Sequence, residues 1–138
     1  MLEKMFFNLN TVDDKIKEEL IKNISNTLTG IEHLVFAYIY GSFIEGGSFR
    51  DIDVAIYSTS PASELDFESD LSYELTEKAA YPVDVRMINN APVAFQMAVL
   101  RNGRLILSRE EDVRTGFIEN VSSRYREYVH FRNILLSA

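Results

Sequence analysis

The stretch "YGSFIEGGSFRDIDVAIY", Tyr40 to Tyr57, decides how this chain is read. It places a Gly-Ser pair, Gly41 and Ser42, at the end of an apolar run. It then sets two aspartates, Asp51 and Asp53, among Ile52, Val54 and Ile56. Side chains of a strand alternate between its faces, so the two carboxylates share one face and the three aliphatic residues take the other. Like charges about 4 Å apart repel by roughly 4 kcal/mol at an effective dielectric near 20. Such a pair needs a positive partner.

Upstream, "TVDDKIKEELIKNISNTLTG" reads as a helix, with Thr11 as its cap, Ile16, Leu20, Ile24 and Leu28 recurring every four residues, and Gly30 as its stop. "HLVFAYIY" follows as a strand buried on both faces. Gly41 to Arg50 forms a turn, in which Ser42 and Glu45 have capping-box spacing and Gly46 and Gly47 let the chain reverse. "DIDVAIY" is the second strand. Residues 61–80 read as a loop and a moderate helix, and "YPVDVRMI" as a third strand with Pro82 at its start. "APVAFQMAVLRNG" is a short helix, "RLILS" a short strand. Val113, Phe117, Val121, Tyr125 and Val129 mark a long C-terminal helix. Helices and strands alternate, so the expected architecture is one α/β (α+β) domain, a mixed sheet flanked by helices, over residues 1–138.

In the third strand Val83, Val85 and Met87 alternate with Asp84 and Arg86. If this strand lies beside the second, Asp84 joins Asp51 and Asp53 in a cluster of three carboxylates. Three such groups on a half-buried sheet either raise a pKa steeply or hold a cation. A small set of hard oxygen ligands suits Mg²⁺, and two such ions form the clamp for in-line attack on phosphorus. The Gly41–Ser42 turn offers free N–H groups to phosphate oxygens. A nucleoside triphosphate with magnesium therefore fits both halves of the motif.

Composition narrows the alternatives. The net charge of -7 argues against direct nucleic-acid binding. With no cysteine and two histidines, neither a disulfide scaffold nor a zinc centre is expected. The first residues mix charges among apolar ones, so no membrane span is expected and a cytoplasmic location is the default. Charge is uneven: residues 1–78 carry 6 Lys/Arg against 15 Asp/Glu, and residues 79–138 carry 8 against 6, all eight being arginine. Most of these arginines read as a solvated helix face, with docking of an acidic partner as the other option.

On "YGS" (40–42), Gly46 or Gly47, "DIDV" (51–54), "VDV" (83–85) and the run "INNAPVAFQMAVLRNGRLILS", the sequence resembles the minimal nucleotidyltransferases of the DNA polymerase β-like superfamily. The resemblance implies two Mg²⁺ ions held by Asp51 and Asp53, with Asp84 completing the site and helping to deprotonate an attacking hydroxyl. It also implies a nucleotide bound across Gly41 and Ser42. The short stand-alone members it is similar to are antitoxins that transfer AMP from ATP to a tyrosine of an all-helical HEPN toxin. A departure is Arg50, where the family has a small or acidic residue. Arg50 and Arg86 read as ion-pair partners. Two other functions stay open: an inert antitoxin that binds without chemistry, and a transferase acting on a small molecule. Pairing of the chain with itself also stays open.

Overall fold

The computed structural model describes residues 8–59 and 64–137, so the loop expected just before residue 64 lies partly outside the described residues. The first helix, α1, runs Asp14–Thr29 and stops at Gly30. Its cap is Asp13, whose carboxylate accepts the Ile16 N–H at 2.8 Å. The expectation of Thr11 is corrected: the helix begins two residues later than that cap requires, and an aspartate three before Ile16 does the work. Then come β1 (Leu34–Tyr40), a single helical turn α2 (Ser42–Glu45), β2 (Ile52–Ser58), α3 (Glu64–Ala79), β3 (Val83–Met87), α4 (Val93–Asn102), β4 (Arg104–Ser108) and α5 (Glu111–Ser137).

The four strands form one mixed sheet in the order β3-β2-β1-β4. β1 runs antiparallel to β2 and β4, and β2 runs parallel to β3 through the α3 crossover. Central β1 is buried along nearly its whole length, as its unbroken apolar run requires. One face carries Ile52, Val54 and Ile56, all fully buried, against Leu20, Ile24 and Leu28 of α1 and Leu71 and Leu75 of α3. The other face carries Phe36, Tyr38 and Ala55 against Met97 and Val99 of α4 and Phe117 and Val121 of α5. At about 25 cal/mol per Å² of apolar surface, these two layers supply most of the drive to fold.

An edge strand exposes free N–H groups that invite pairing with another chain. Here α3 takes them up. Thr76, Ser72 and Glu68 stand four residues apart on one helix face, and strand N–H groups of one edge repeat every second residue. The Val83 N–H donates to Thr76 Oγ1 at 2.9 Å, Val85 to Ser72 Oγ at 2.9 Å and Met87 to Glu68 Oε1 at 3.3 Å. This ladder holds β3, and with it Asp84, in register against β2.

Several arginines are spent as internal ties rather than left as a solvated face. Arg109 donates to the carbonyls of Ile31 at 2.7 Å and Leu34 at 3.3 Å, and also to that of Thr29, closing the end of α1. Arg104 makes two bonds to Glu18, at 2.7 and 2.9 Å. Arg124 donates to Gln96 Oε1 at 2.7 Å, and buried Gln96 in turn donates to the Ile88 carbonyl at 2.7 Å. Beyond Val121 no described residue of α5 is buried, although Tyr125 still packs partly buried against this second layer.

Candidate active site

Register brings the site together. Tyr40 of β1 stands opposite Asp53 of β2, and Asp53 stands opposite Asp84 of β3. Residues in register across neighbouring strands lie about 4.8 Å apart and share a face. The row therefore crosses three strands on the face away from Ile52 and Val54. Asp51 precedes β2 by one residue and is half-buried, like Asp53 and Asp84.

Gly41 touches the same row. Its backbone has φ 84° and ψ -163°, a region essentially reserved for glycine. A Cβ there would sit 2.6 Å from Asp53 Oδ2. The missing side chain is thus the space in which the Asp53 carboxylate lies. Sequence spacing put the Gly-Ser turn and the aspartates at two ends of one loop; folding puts them in contact.

The turn itself differs from the expected capping box. Gly41 is the N-cap and makes no side-chain cap bond, while Ser42 is already inside the helical turn. Only the backbone closes it, Ile44 and Glu45 N–H groups donating to the Gly41 carbonyl at 3.1 and 3.0 Å. The amides of Ser42 and Phe43 come before that bonding begins, as at any helix start. Two buried rings anchor the turn from beneath: Phe43 and Phe49 meet edge to face at 4.8 Å. Phe49 is fixed in its turn by a bridge to Asn10. Gly46 and Gly47, at φ 104° and 84°, reverse the chain as expected.

Electrostatics marks Asp53 out. Burial, then the charges of Asp51 and Asp84, push its carboxyl from 3.8 up to about 7, with Arg86 opposing. The Tyr40 phenol is pushed upward too, first by burial and then by Asp53. Its ring meets Phe95 of α4 edge-on at 5.4 Å. Arg86 Nε lies 3.3 Å from Asp84 Oδ2, so Arg86 is an ion-pair partner. Arg50 lines a cleft of about 510 Å³ together with Asp51, Tyr73, Glu77 and Asp84. A second cleft of about 640 Å³ opens on the other side of Asp84, toward Arg86, Asn90 and Phe95.

The donor chemistry fits a hard divalent cation: all-oxygen carboxylates, with Asp53 pushed upward by burial first and by its two acidic neighbours second. The closure is incomplete. Among the described residues no three His, Cys, Asp or Glu side chains converge closely enough to hold a metal as they stand. Asp84 is engaged by Arg86, which leaves Asp51 and Asp53 as the adjoining pair. Sequence reasoning missed Tyr40 and Phe95 as walls of the site. Their signal was weak, because an aromatic before a Gly-Ser turn reads equally well as core.

Comparison with known proteins agrees with the fold. No curated protein matches the sequence significantly. Solved structures do match in fold. A toxin–antitoxin complex described as MntA-HepT shares 18% identity with a TM-score of 0.66, covering 91% of this chain and 97% of that one. A tri-AMPylated Shewanella oneidensis HEPN toxin in complex with MNT antitoxin gives 18% identity and a TM-score of 0.67, over 85% and 96% of the two chains. A toxin–antitoxin structure with AMP-PNP gives 19% identity and 0.67, over 91% and 97%. The family model for "Polymerase beta, Nucleotidyltransferase" matches residues 9–112, which hold the Gly-Ser turn and all three aspartates. This chain belongs to the polymerase beta nucleotidyltransferase family.

Proposed function

We propose that the chain transfers AMP from ATP to a hydroxyl acceptor, a tyrosine of a HEPN-type toxin partner, and so serves as an antitoxin. One observation carries the reading. Asp53 sits in the hollow of Gly41 between two further carboxylates, raised to about 7. A fold gains nothing in stability from that crowding, so the crowding points to chemistry. The likeness to MNT antitoxins, one of them in complex with an AMPylated toxin, supports the choice of acceptor.

Asp51 and Asp53 would hold Mg²⁺, with Asp84 joining them when Arg86 releases it. When bound, the metal neutralises charge on the phosphates and on the leaving pyrophosphate. The chain's own residues do the rest. The Gly41–Ser42 turn seats phosphate oxygens on its first amides. Asp84 orients the acceptor hydroxyl and takes its proton as the oxygen attacks the α-phosphorus. The bond from that phosphorus to the bridging oxygen breaks, and pyrophosphate leaves. Positioning and charge account for the rate.

The Arg86–Asp84 pair is the observation that favours the rival reading, an antitoxin that binds without transferring. One experiment separates them. The chain is incubated with ATP, magnesium and a HEPN-type protein, and the partner is weighed by mass spectrometry. Addition of AMP that disappears in Asp53→Ala supports transfer. Stable complex formation with no mass change supports the binder.

A further inference from the structure

The two clefts beside Asp84 share a wall. Arg50, Tyr73 and Glu77 border the first and Leu65, Arg86 and Phe95 the second, while Ser72 and Asp84 line both. They run end to end along the outer edge of β3, with Asp84 between them. This trough is far longer than a single hydroxyl group needs. Its apolar contact points are open: Leu65 is 73% exposed and Tyr73 69%.

Two further features say how such a trough can be filled. The N–H groups of Val83, Val85 and Met87 are already bonded to Thr76, Ser72 and Glu68, so an incoming chain cannot add to β3 as a fifth strand. The wall formed by α3 is also strongly acidic. Of its six Asp or Glu, Glu77 lines the first cleft and Glu68 the second, and its lone base Lys78 is itself 3.8 Å from Glu74. Across the two clefts the carboxylates of Asp51, Glu68, Glu77 and Asp84 stand against the bases Arg50 and Arg86, and Arg86 is spent on Asp84.

We infer that the trough is the acceptor groove, and that it takes a tyrosine flanked by lysine or arginine, gripped through side chains and not by strand addition. The inference rests on the transferase reading for the tyrosine. The groove and its preference for basic flanks rest on the clefts, the sealed edge and the charge.

The test uses two fluorescent peptides of equal length, each with one central tyrosine, flanked by lysines in one and by glutamates in the other. Binding to the whole chain is read by anisotropy without nucleotide. The lysine peptide binds about tenfold or more tighter at low salt, and added salt erodes the advantage. The double variant Ser69→Lys/Glu77→Lys, with one change in each cleft, loses that preference. Methylating alternate backbone amides of the lysine peptide changes its affinity by less than about twofold, since no ladder of main-chain bonds is involved. Equal or reversed preference, a preference unchanged in the double variant, or a large loss on methylation overturns the inference. Titrating ATP with magnesium chloride on the same protein reports separately on the transferase reading. Peptide discrimination without ATP binding keeps the groove and sinks the enzyme; ATP binding with indifference to peptide charge does the opposite.

Discussion

Two sets of charges in this protein are treated in opposite ways. Four arginines of the second half are matched: Arg109 to backbone carbonyls, Arg104 to Glu18, Arg114 to Tyr38 and Glu111, Arg124 to Gln96 and Asn120. The aspartates of the candidate site are crowded together, and Asp53 bears the strain. A protein under selection for stability alone would have relieved the second set as it has the first. The contrast separates charges that hold the fold from charges that the fold holds in readiness.

The sharpest break of that contrast is Asp53→Ala. It should lower AMP transfer by about a thousandfold or more, the scale on which loss of one preorganised electrostatic group is felt. The same variant should melt at or above the wild-type temperature, as read by calorimetry. Retained transfer would put the chemistry elsewhere. Next comes Gly41→Ala, which forces a Cβ into the Asp53 carboxylate at a backbone angle only glycine tolerates. A loss of about 2–4 kcal/mol in denaturant unfolding is expected. Because the clash has a named partner, Asp53→Ala should return part of that loss in the double mutant.

Arg109→Ala tests the other set. It unties the end of α1 and should cost about 1–2 kcal/mol in unfolding while leaving transfer per folded molecule unchanged. An effect of similar size is expected in pH. The Asp53 carboxyl stands near 7 in the folded chain against 3.8 when free, so folding favours its protonated form. Its contribution to stability is therefore full at acid pH below the free value and is lost as pH rises through about 7. Compared with Asp53→Asn, the wild type should lose about 1–2 kcal/mol across that window, a figure reduced for solvent screening at a half-exposed group. A flat difference between the two proteins would mean that neither burial nor the neighbouring carboxylates raise the Asp53 carboxyl.

Much of this was legible in the sequence because it depends on local rules. Alternation along a strand put Asp51 and Asp53 on one face, and the same rule applied to β3 made Asp84 their neighbour once the strands paired. The stop of α1 at Gly30 fell where it was expected, although Gly30 keeps an ordinary negative φ of -71°. What escaped depends on where distant segments meet. Nothing in the spacing said that Tyr40 would align with Asp53, or that Gly41 would make room for its carboxylate. The cap of α1 was misplaced because "TVDD" offers three side chains able to fill that role. Helix α3 read as no more than a moderate helix since Glu68, Ser72 and Thr76, the residues facing β3, are polar for a reason visible only once β3 is beside them. The arginines looked like a surface because their partners lie up to 86 positions away.

The dressing of the sheet's margins has a consequence for how copies of this protein could aggregate. One margin is occupied by the α3 side chains. At the opposite margin Ser25 Oγ donates to the Ile106 carbonyl at 2.9 Å, and the Arg104–Glu18 pair stands beside it. Cross-β growth needs a bare rim to copy itself onto, and this sheet offers little of one. Crystals, filaments or precipitates of the protein should therefore grow by helix against helix, and dyes that report on amyloid should stay dark.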